Sequence, residues 1–176
     1  YKNQGILTSY KTINTDNPNL NCRISGLEKF SPSIIIIDKS LKINLKSYVL
    51  NKPSKINVII FYNCKKLKKI DILKKKGIKL IKFNTNLKNY FDLKKLFMKI
   101  YSIGIHTLLV ECGKDLTYKM ISERLFNEFY LFKSNKILLN NNKVSIFKIS
   151  NTLKQNFKHK KLINTYLDKD RLIHYS

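Results

Sequence analysis

Acidic residues, cysteine and tryptophan are scarce in this sequence of 176 residues. It contains 11 Asp and Glu, three cysteines and no tryptophan. Because the number of cysteines is odd and no Cys-x-x-Cys pair occurs, a disulfide framework or zinc knuckle is disfavoured, and a reduced, cytoplasmic protein is expected. The three histidines are far apart, so we predict no metal site. No apolar run approaches the roughly 18 residues of a membrane-spanning helix, so no membrane partner is expected.

The shortage of acids leaves a formal net charge of +24. A surplus of this size is typical of nucleic-acid binders. However, the basic residues are almost all lysines, with arginine only at Arg23, Arg124 and Arg171, and fork-like recognition of bases and phosphates favours arginine. Lys, Asn and Ile are abundant throughout, as AT-rich codon usage favours. We therefore predict no nucleic-acid partner, although the positive field would attract anionic small molecules.

The order of apolar segments predicts alternating strands and helices. Continuous runs rich in branched and aromatic residues predict strands at Ser33–Asp38, Asn57–Tyr62, Ile78–Phe83, His106–Glu111, Glu128–Phe132 and Val144–Ile149. Apolar residues at helical spacing predict helices at Lys65–Lys76, Tyr90–Ser102 and Leu116–Leu125. Continuous rather than alternating apolar runs indicate a sheet covered on both faces, as in parallel α/β folds. A polar linker at residues 151–161 and a last strand near residues 167–175 favour an antiparallel addition at the sheet edge.

The first segment with possible chemistry runs from Thr12 through Asp16-Asn17-Pro18 to Arg23. As an isolated pattern, Asp-Asn-Pro predicts a turn in a loop after a strand, with Asp16 bonded to local backbone. Arg23 favours a functional role, because an arginine in a lysine-rich chain suits bidentate anion recognition. Chance retention of this arginine stays open.

The second segment is Glu111-Cys112-Gly113, at the end of a predicted buried strand and followed by Asp115. A glycine in a strand-to-helix turn lets backbone amides approach a phosphate, and the helix N-terminus favours an anion. An ordinary helix cap explains the glycine equally well. Glu111 carries more weight, since ligands bind at the carboxyl ends of strands in α/β folds.

Together these segments resemble a known family. The stretch GILTSYKTINTDNPNLNCRI resembles the reductase domain of the bifunctional riboflavin biosynthesis protein, in which a strand is followed by Thr, Asp-Asp-Pro, Leu and Arg. The stretch TLLVECGKDLTYKMISERLFNEFYLFKS resembles the same family's Val-Glu-Gly-Gly strand end, helix and Leu-Val-Asp-Glu turn. The resemblance implies one reductase domain over residues 1–176. The implied fold is dihydrofolate-reductase-like, with three layers: a mixed, mostly parallel central sheet flanked by helices, with an antiparallel C-terminal edge.

The resemblance also implies an activity, the NADPH-dependent reduction of 5-amino-6-(5-phosphoribosylamino)uracil to its ribityl counterpart. The cofactor provides the hydride, so no protein nucleophile or other catalytic residue is expected. The substrate would contact Leu20, Arg23 and Glu111. The cofactor would contact Thr12, Asp16, Gly113, Lys114, Asp115, Leu116, Thr117, Tyr118 and Lys119, and Lys39 is a candidate for the adenosine 2′-phosphate.

Three positions depart from the family pattern: Asn17 replaces an Asp, Cys112 replaces a Gly, and Ser9 stands where Gly is usual. The side chain of Cys112 lies where a close backbone approach is expected. The family's opening strand and helix are expected upstream of Tyr1, and its deaminase domain upstream or on a separate chain. The family also implies a homodimer.

Two alternatives stay open. One is a basic nucleic-acid module without enzymatic activity, and the other is a different reductase of the same fold. Several aromatic residues are predicted on buried faces rather than on an exposed stacking platform, which disfavours the nucleic-acid module: Phe91, Phe97, Phe129 and Phe132. The combination of Asp16-Asn17-Pro18 with Glu111-Cys112-Gly113 favours the riboflavin family over other reductases.

Overall fold

The computed structural model describes residues 2–51, 56–134, 152–155, 157–164 and 170–176. The chain divides into two compact units, Tyr1–Gly113 and Lys114–Ser176. Within the described ranges no helix is long and apolar enough to cross a membrane.

The first unit is built on a parallel sheet. Its five strands are β1 (Gly5–Ser9), β2 (Ser33–Ile37), β3 (Val58–Tyr62), β4 (Lys79–Lys82) and β5 (Leu108–Val110). They lie in the order β4-β3-β2-β1-β5, and every neighbouring pair is parallel. Three of the four isoleucines of β2, residues 34–36, are fully buried, as expected where both faces of a parallel sheet are covered.

Little space is left beside the backbone where β1 begins. A Cβ added at Gly5 would lie 2.7 Å from Cδ1 of Ile35 and 3.0 Å from Cδ1 of Leu108. Glycine is therefore required there by the lack of space between neighbouring strands.

Three helices accompany this sheet: α1 (Tyr10–Asp16), α2 (Leu67–Lys75) and α3 (Leu93–Ser102). Ser9 caps α1 by accepting a hydrogen bond from the amide of Thr12, and Asp92 caps α3 in the same way through the amide of Lys95. Short 3-10 turns occur at Glu28–Phe30 and Tyr48–Leu50.

The second unit contains α4 (Lys114–Ser122) and three strands, β6 (Phe129–Lys133), β7 (Lys160–Ile163) and β8 (Arg171–Tyr175). The strands form an antiparallel sheet in the order β6-β8-β7. Ile121, Leu153 and Tyr175 are buried together in its core.

The predicted α/β alternation is confirmed from β2 to β6, with most boundaries shifted by up to three residues. The Asp-Asn-Pro segment was predicted to lie in a loop, but Asp16 is the last residue of α1, which begins after its Ser9 cap. The polar linker was also partly wrong, since residues 160–161 belong to β7. The predicted antiparallel strands at the C-terminus form a three-stranded sheet of their own in the described ranges. Val144–Ile149 lies outside the described residues.

The prediction that four phenylalanines face buried surfaces needs one correction. Phe91 is buried, but Phe132 is 66% exposed. Phe132 lies on β6, whose first four residues alternate between half-buried and exposed, so its side chain is on the solvent face.

Candidate ligand site at the carboxyl ends of the parallel strands

The strand order of the first unit creates a switch point between β1 and β5. From β1 the chain moves to β2, β3 and β4 on one side, whereas β5 pairs with the opposite edge of β1. The amide of Glu111 donates to the carbonyl of Leu7 at 2.9 Å, so the pairing continues just beyond the end of β5. In open α/β sheets, ligands bind in the crevice outside the carboxyl ends of strands at such a point.

The β1 side of this crevice is formed by the start of α1. The Ser9 hydroxyl accepts from the Thr12 amide at 3.3 Å, and the two hydroxyl oxygens are 3.2 Å apart. The serine that stands where the family usually has glycine therefore caps the helix that carries Thr12 and Asp16. Thr12 is half-buried and Asp16 is exposed at the last position of α1.

The end of α1 is fixed to the loop that follows β2. Asn17 has a left-handed backbone (φ 43°, ψ 51°), and its Oδ1 accepts from the amide of Tyr48 at 2.8 Å. Asn14 donates to the carbonyl of Lys42 at 3.1 Å and accepts from the amide of Asn44 at 2.8 Å. Asparagine tolerates the left-handed region well, which explains how Asn17 can replace an aspartate here.

The β5 side of the crevice is formed by Glu111, Cys112 and Gly113. Glu111 and Gly113 are exposed, and Cys112 is half-buried. No atom beyond its chain neighbours lies within 4 Å of the position that a Cβ on Gly113 would occupy. The backbone at Gly113 is therefore open to the approach of a ligand.

The two candidate substrate residues between α1 and β2 differ in environment. Leu20 is buried among the apolar side chains of the first unit and has a positive φ of 47°, which is unusual for leucine. Its buried side chain leaves the backbone as the part available to a ligand. Arg23 is exposed, and its guanidinium forms no ion pair with a carboxylate of the described ranges.

Lys39 follows β2 at the same edge of the sheet. Neighbouring strands lie about 4.8 Å apart, so the carboxyl ends of β5, β1 and β2 together span roughly 10 Å. The Lys39 ammonium donates to the carbonyl of Asn89 at 2.8 Å and lies 6.0 Å from the centre of the Tyr90 ring. Lys39 is thus in the predicted region, but part of its hydrogen-bonding capacity is used by the loop before α3.

Sequence reasoning missed Asp38, which organises this edge. Its buried carboxylate accepts from the amides of Lys42 and Ile43 at 2.8 and 2.7 Å. Burial raises the pKa of Asp38 above its ordinary value, although both backbone bonds and the charges of Lys69 and Lys66 act to lower it. An acidic residue that directly follows four isoleucines, in a chain with few acids, is the sequence signal for such a group.

The remaining predicted residues lie in the second unit, where they form the first six positions of α4. Lys114, Asp115 and Tyr118 are exposed, whereas Leu116, Thr117 and Lys119 are half-buried. Lys119 forms an ion pair with Glu123 at 3.8 Å, one turn later in the chain. The segment is helical as predicted, and the helix begins two residues earlier than expected.

Comparisons of this chain with known proteins agree on one family. Residues 1–167 match the family model of the RibD C-terminal domain. The riboflavin biosynthesis protein RibD of Aquifex aeolicus is 29% identical over 133 residues, which cover 76% of this chain and 35% of that protein. The 2,5-diamino-6-ribosylamino-4(3H)-pyrimidinone 5′-phosphate reductase of the same organism is 27% identical over 130 residues, covering 74% of this chain and 56% of that protein.

Solved structures agree on the fold. A structure of RibD from Acinetobacter baumannii has a TM-score of 0.70 at 18% identity, and the match covers 98% of this chain and 46% of that one. The dihydrofolate-reductase-like α/β fold expected from the resemblance is thereby confirmed. The comparisons do not favour the alternative of a basic nucleic-acid module.

Proposed function

Because this chain belongs to the RibD C-terminal domain family, we propose that it is a reductase of riboflavin biosynthesis. The substrate is 5-amino-6-(5-phosphoribosylamino)uracil, and its ribose is reduced to the open-chain ribityl group with NADPH. The chain spans about a third to a half of the curated relatives it matches, 35% of one and 56% of the other, so the proposal concerns the reductase step alone.

The observation that supports this proposal is the meeting of the two family segments at one switch point. Thr12 follows β1 and Glu111 follows β5, and these strands are hydrogen-bonded neighbours in parallel register. Two segments about a hundred residues apart in sequence therefore border the same crevice. That arrangement suits a site in which one segment holds the cofactor and the other orients the sugar.

The side chains of the crevice suit binding and orientation. NADPH, when bound, supplies the hydride that reduces the sugar carbon. Arg23 can pair with the substrate phosphate, because its guanidinium is exposed and unpaired within the described ranges. Glu111 can accept hydrogen bonds from the pyrimidine or the ribose and so fix the sugar relative to the cofactor.

The residues present fit a dinucleotide phosphate. The open space at Gly113 would admit a pyrophosphate close to the backbone, and residues 114–119 continue as a helix whose first amides favour anions. Thr12 offers a half-buried hydroxyl on the β1 side, with Asp16 on the same helix. Lys39 would hold the adenosine 2′-phosphate and so favour NADPH over NADH.

Further properties come from the family. We propose that the active form is a homodimer in the cytoplasm and that residues 1–176 act as one reductase domain. A deaminase, fused upstream or on a separate chain, would act on the same pyrimidine before this step. The second Aquifex relative is named for the diamino compound, which makes that compound a second candidate substrate.

The test is NADPH oxidation followed at 340 nm with the full-length protein that carries this chain. Both pyrimidines, the uracil and the diaminopyrimidinone, are offered as substrates. We expect turnover with one of them and a KM for that substrate at least about tenfold higher in Arg23→Ala, because a charge-assisted phosphate bond is lost.

The matched control is Arg171→Ala, which removes an exposed arginine of β8. We expect its KM to stay close to that of the wild type. Turnover of neither pyrimidine, or an equal effect of both arginine variants, would contradict the proposal.

A further inference from the structure

A second concave, cationic surface lies at the carboxyl end of β4, away from the crevice between β1 and β5. It encloses about 470 Å³ between the last residue of β4, the loop that follows and the first turns of α3. We call it the β4 pocket, and its polar lining consists of Lys82, Asn84, Asn86, Asp92, Lys95 and Lys99. A volume of this size accommodates a small metabolite.

The charge of the β4 pocket is unbalanced. It contains three ammonium groups and one carboxylate, a net of two positive charges. That carboxylate, Asp92, accepts from the amide of Lys95 at 3.0 Å and so serves as the cap of α3. None of the three lysines forms an ion pair with a carboxylate in the part of the chain that the structure describes.

The placement of the lysines increases their mutual repulsion. Lys95 and Lys99 are four residues apart on α3, so they project from the same face of the helix, and Lys82 ends the strand beside it. Like charges at this spacing are mildly destabilising. A bound anion would reduce this repulsion.

The walls of the β4 pocket are held by aromatic packing. Phe83 stacks edge-to-face against Phe61 at 5.7 Å and against Phe91 at 5.6 Å between ring centres. Thr85 pairs with Phe91 as a β-bridge, and Oδ1 of Asn86 accepts from the amide of Tyr90 at 3.0 Å. The loop is therefore fixed in place without the lysine side chains, which stay available for a ligand.

We propose that the β4 pocket binds a phosphate or diphosphate ester, as a site separate from the proposed reductase crevice. Lysine ammonium groups attract phosphate oxygens as point charges, and asparagine amides add neutral donors. The end of β4 lies three strands, or roughly 14 Å, from the end of β1 and two strands, or roughly 10 Å, from the end of β2, where Lys39 belongs to the proposed cofactor site. The proposal does not depend on the reductase activity.

The probe is inorganic pyrophosphate, titrated calorimetrically into the full-length protein at physiological ionic strength, where long-range attraction is screened. The test variant is Lys82→Gln/Lys95→Gln/Lys99→Gln. The matched control, Lys65→Gln/Lys68→Gln/Lys74→Gln, removes the same charge from exposed positions on and just before α2. Pyrophosphate could also bind where the cofactor phosphates bind, so each titration is repeated with saturating NADPH.

We expect the pocket variant to weaken pyrophosphate binding about tenfold or more and the control variant by less than about threefold. We expect saturating NADPH to leave the wild-type affinity unchanged. In the wild type, pyrophosphate should also protect Lys82, Lys95 and Lys99 from acetylation, which tests the site even if the variant folds poorly. Absence of binding, equal weakening in both variants, loss of all pyrophosphate binding at saturating NADPH or unprotected pocket lysines would each overturn the proposal.

Discussion

The left-handed residue at the end of α1 allows a sharp test of how the β1 side of the crevice is built. Asn17 has φ 43° and ψ 51°, and its Oδ1 accepts from the Tyr48 amide at 2.8 Å. Asn17→Ala removes this hydrogen-bond acceptor. It also places alanine, which has a Cβ but no polar side-chain group, in the left-handed region.

The expected loss follows from these two contributions. A left-handed alanine costs about 1–2 kcal/mol, and the lost hydrogen bond about 0.5–1.5 kcal/mol. We therefore expect Asn17→Ala to lower the free energy of unfolding by about 2 kcal/mol. Asn17→Gly relieves the backbone and loses only the bond, so it should cost about 1 kcal/mol. Asn17→Asp keeps an acceptor and should cost least.

The measurement is urea unfolding followed by circular dichroism, with unchanged m-values as the check that the four proteins unfold comparably. The order of stability should be wild type and Asn17→Asp, then Asn17→Gly, then Asn17→Ala. If glycine and alanine at this position were equally destabilising, the backbone argument would be wrong. If aspartate were as poor as alanine, the hydrogen-bond argument would be wrong.

Three further outcomes are expected. Gly5→Ala should lower the free energy of unfolding by about 1–3 kcal/mol in urea melts, because its Cβ would lie 2.7 Å from Ile35; an unchanged midpoint would refute the tight packing. Gly113→Val should change the free energy of unfolding by less than about 0.5 kcal/mol, since the added Cβ meets open space. It should raise the KM for NADPH about tenfold, and an unchanged KM would count against the proposed cofactor contact. For Asp38 the raised pKa means that the folded chain binds more protons than the unfolded chain between the unfolded pKa of about 4 and the raised pKa of the folded state. The free energy of unfolding of the wild type should therefore fall relative to that of Asp38→Asn as pH rises through that range. A difference in unfolding free energy between the two proteins that does not change with pH would contradict the raised pKa.

Strands and helices with strong apolar patterns could be predicted from the sequence. The four isoleucines of β2 and the spacing of Leu93, Leu96 and Ile100 in α3 leave little choice of structure, because burial dominates their conformations. The helix α1 could not be predicted in this way. Its seven residues have little apolar pattern, and its start depends on the hydroxyl of Ser9.

The candidate site was predictable in part. Glu111 at the end of an apolar run could be placed at the carboxyl edge of a sheet, and the structure places it beside β1. The strand before it was predicted to be buried, but β5 is only partly buried and Leu109 is 44% exposed. The pairing of β5 with β1, rather than with β4, could not be predicted. It depends on contacts between residues far apart in sequence, and no local sequence pattern reports such contacts. The burial of Leu20 and the bond of Lys39 to Asn89 are likewise products of tertiary packing.

The most direct test of the proposed reduction is transfer of deuterium from NADPH labelled at both C4 positions, with the full-length protein and the ribosylated pyrimidine phosphate. We expect a ribityl product that carries one deuterium on the former sugar carbon C1, with a higher substrate KM in Arg23→Ala and no such change in Arg171→Ala. Oxidation of NADPH without deuterium in the product, or no reduced product at all, would contradict it.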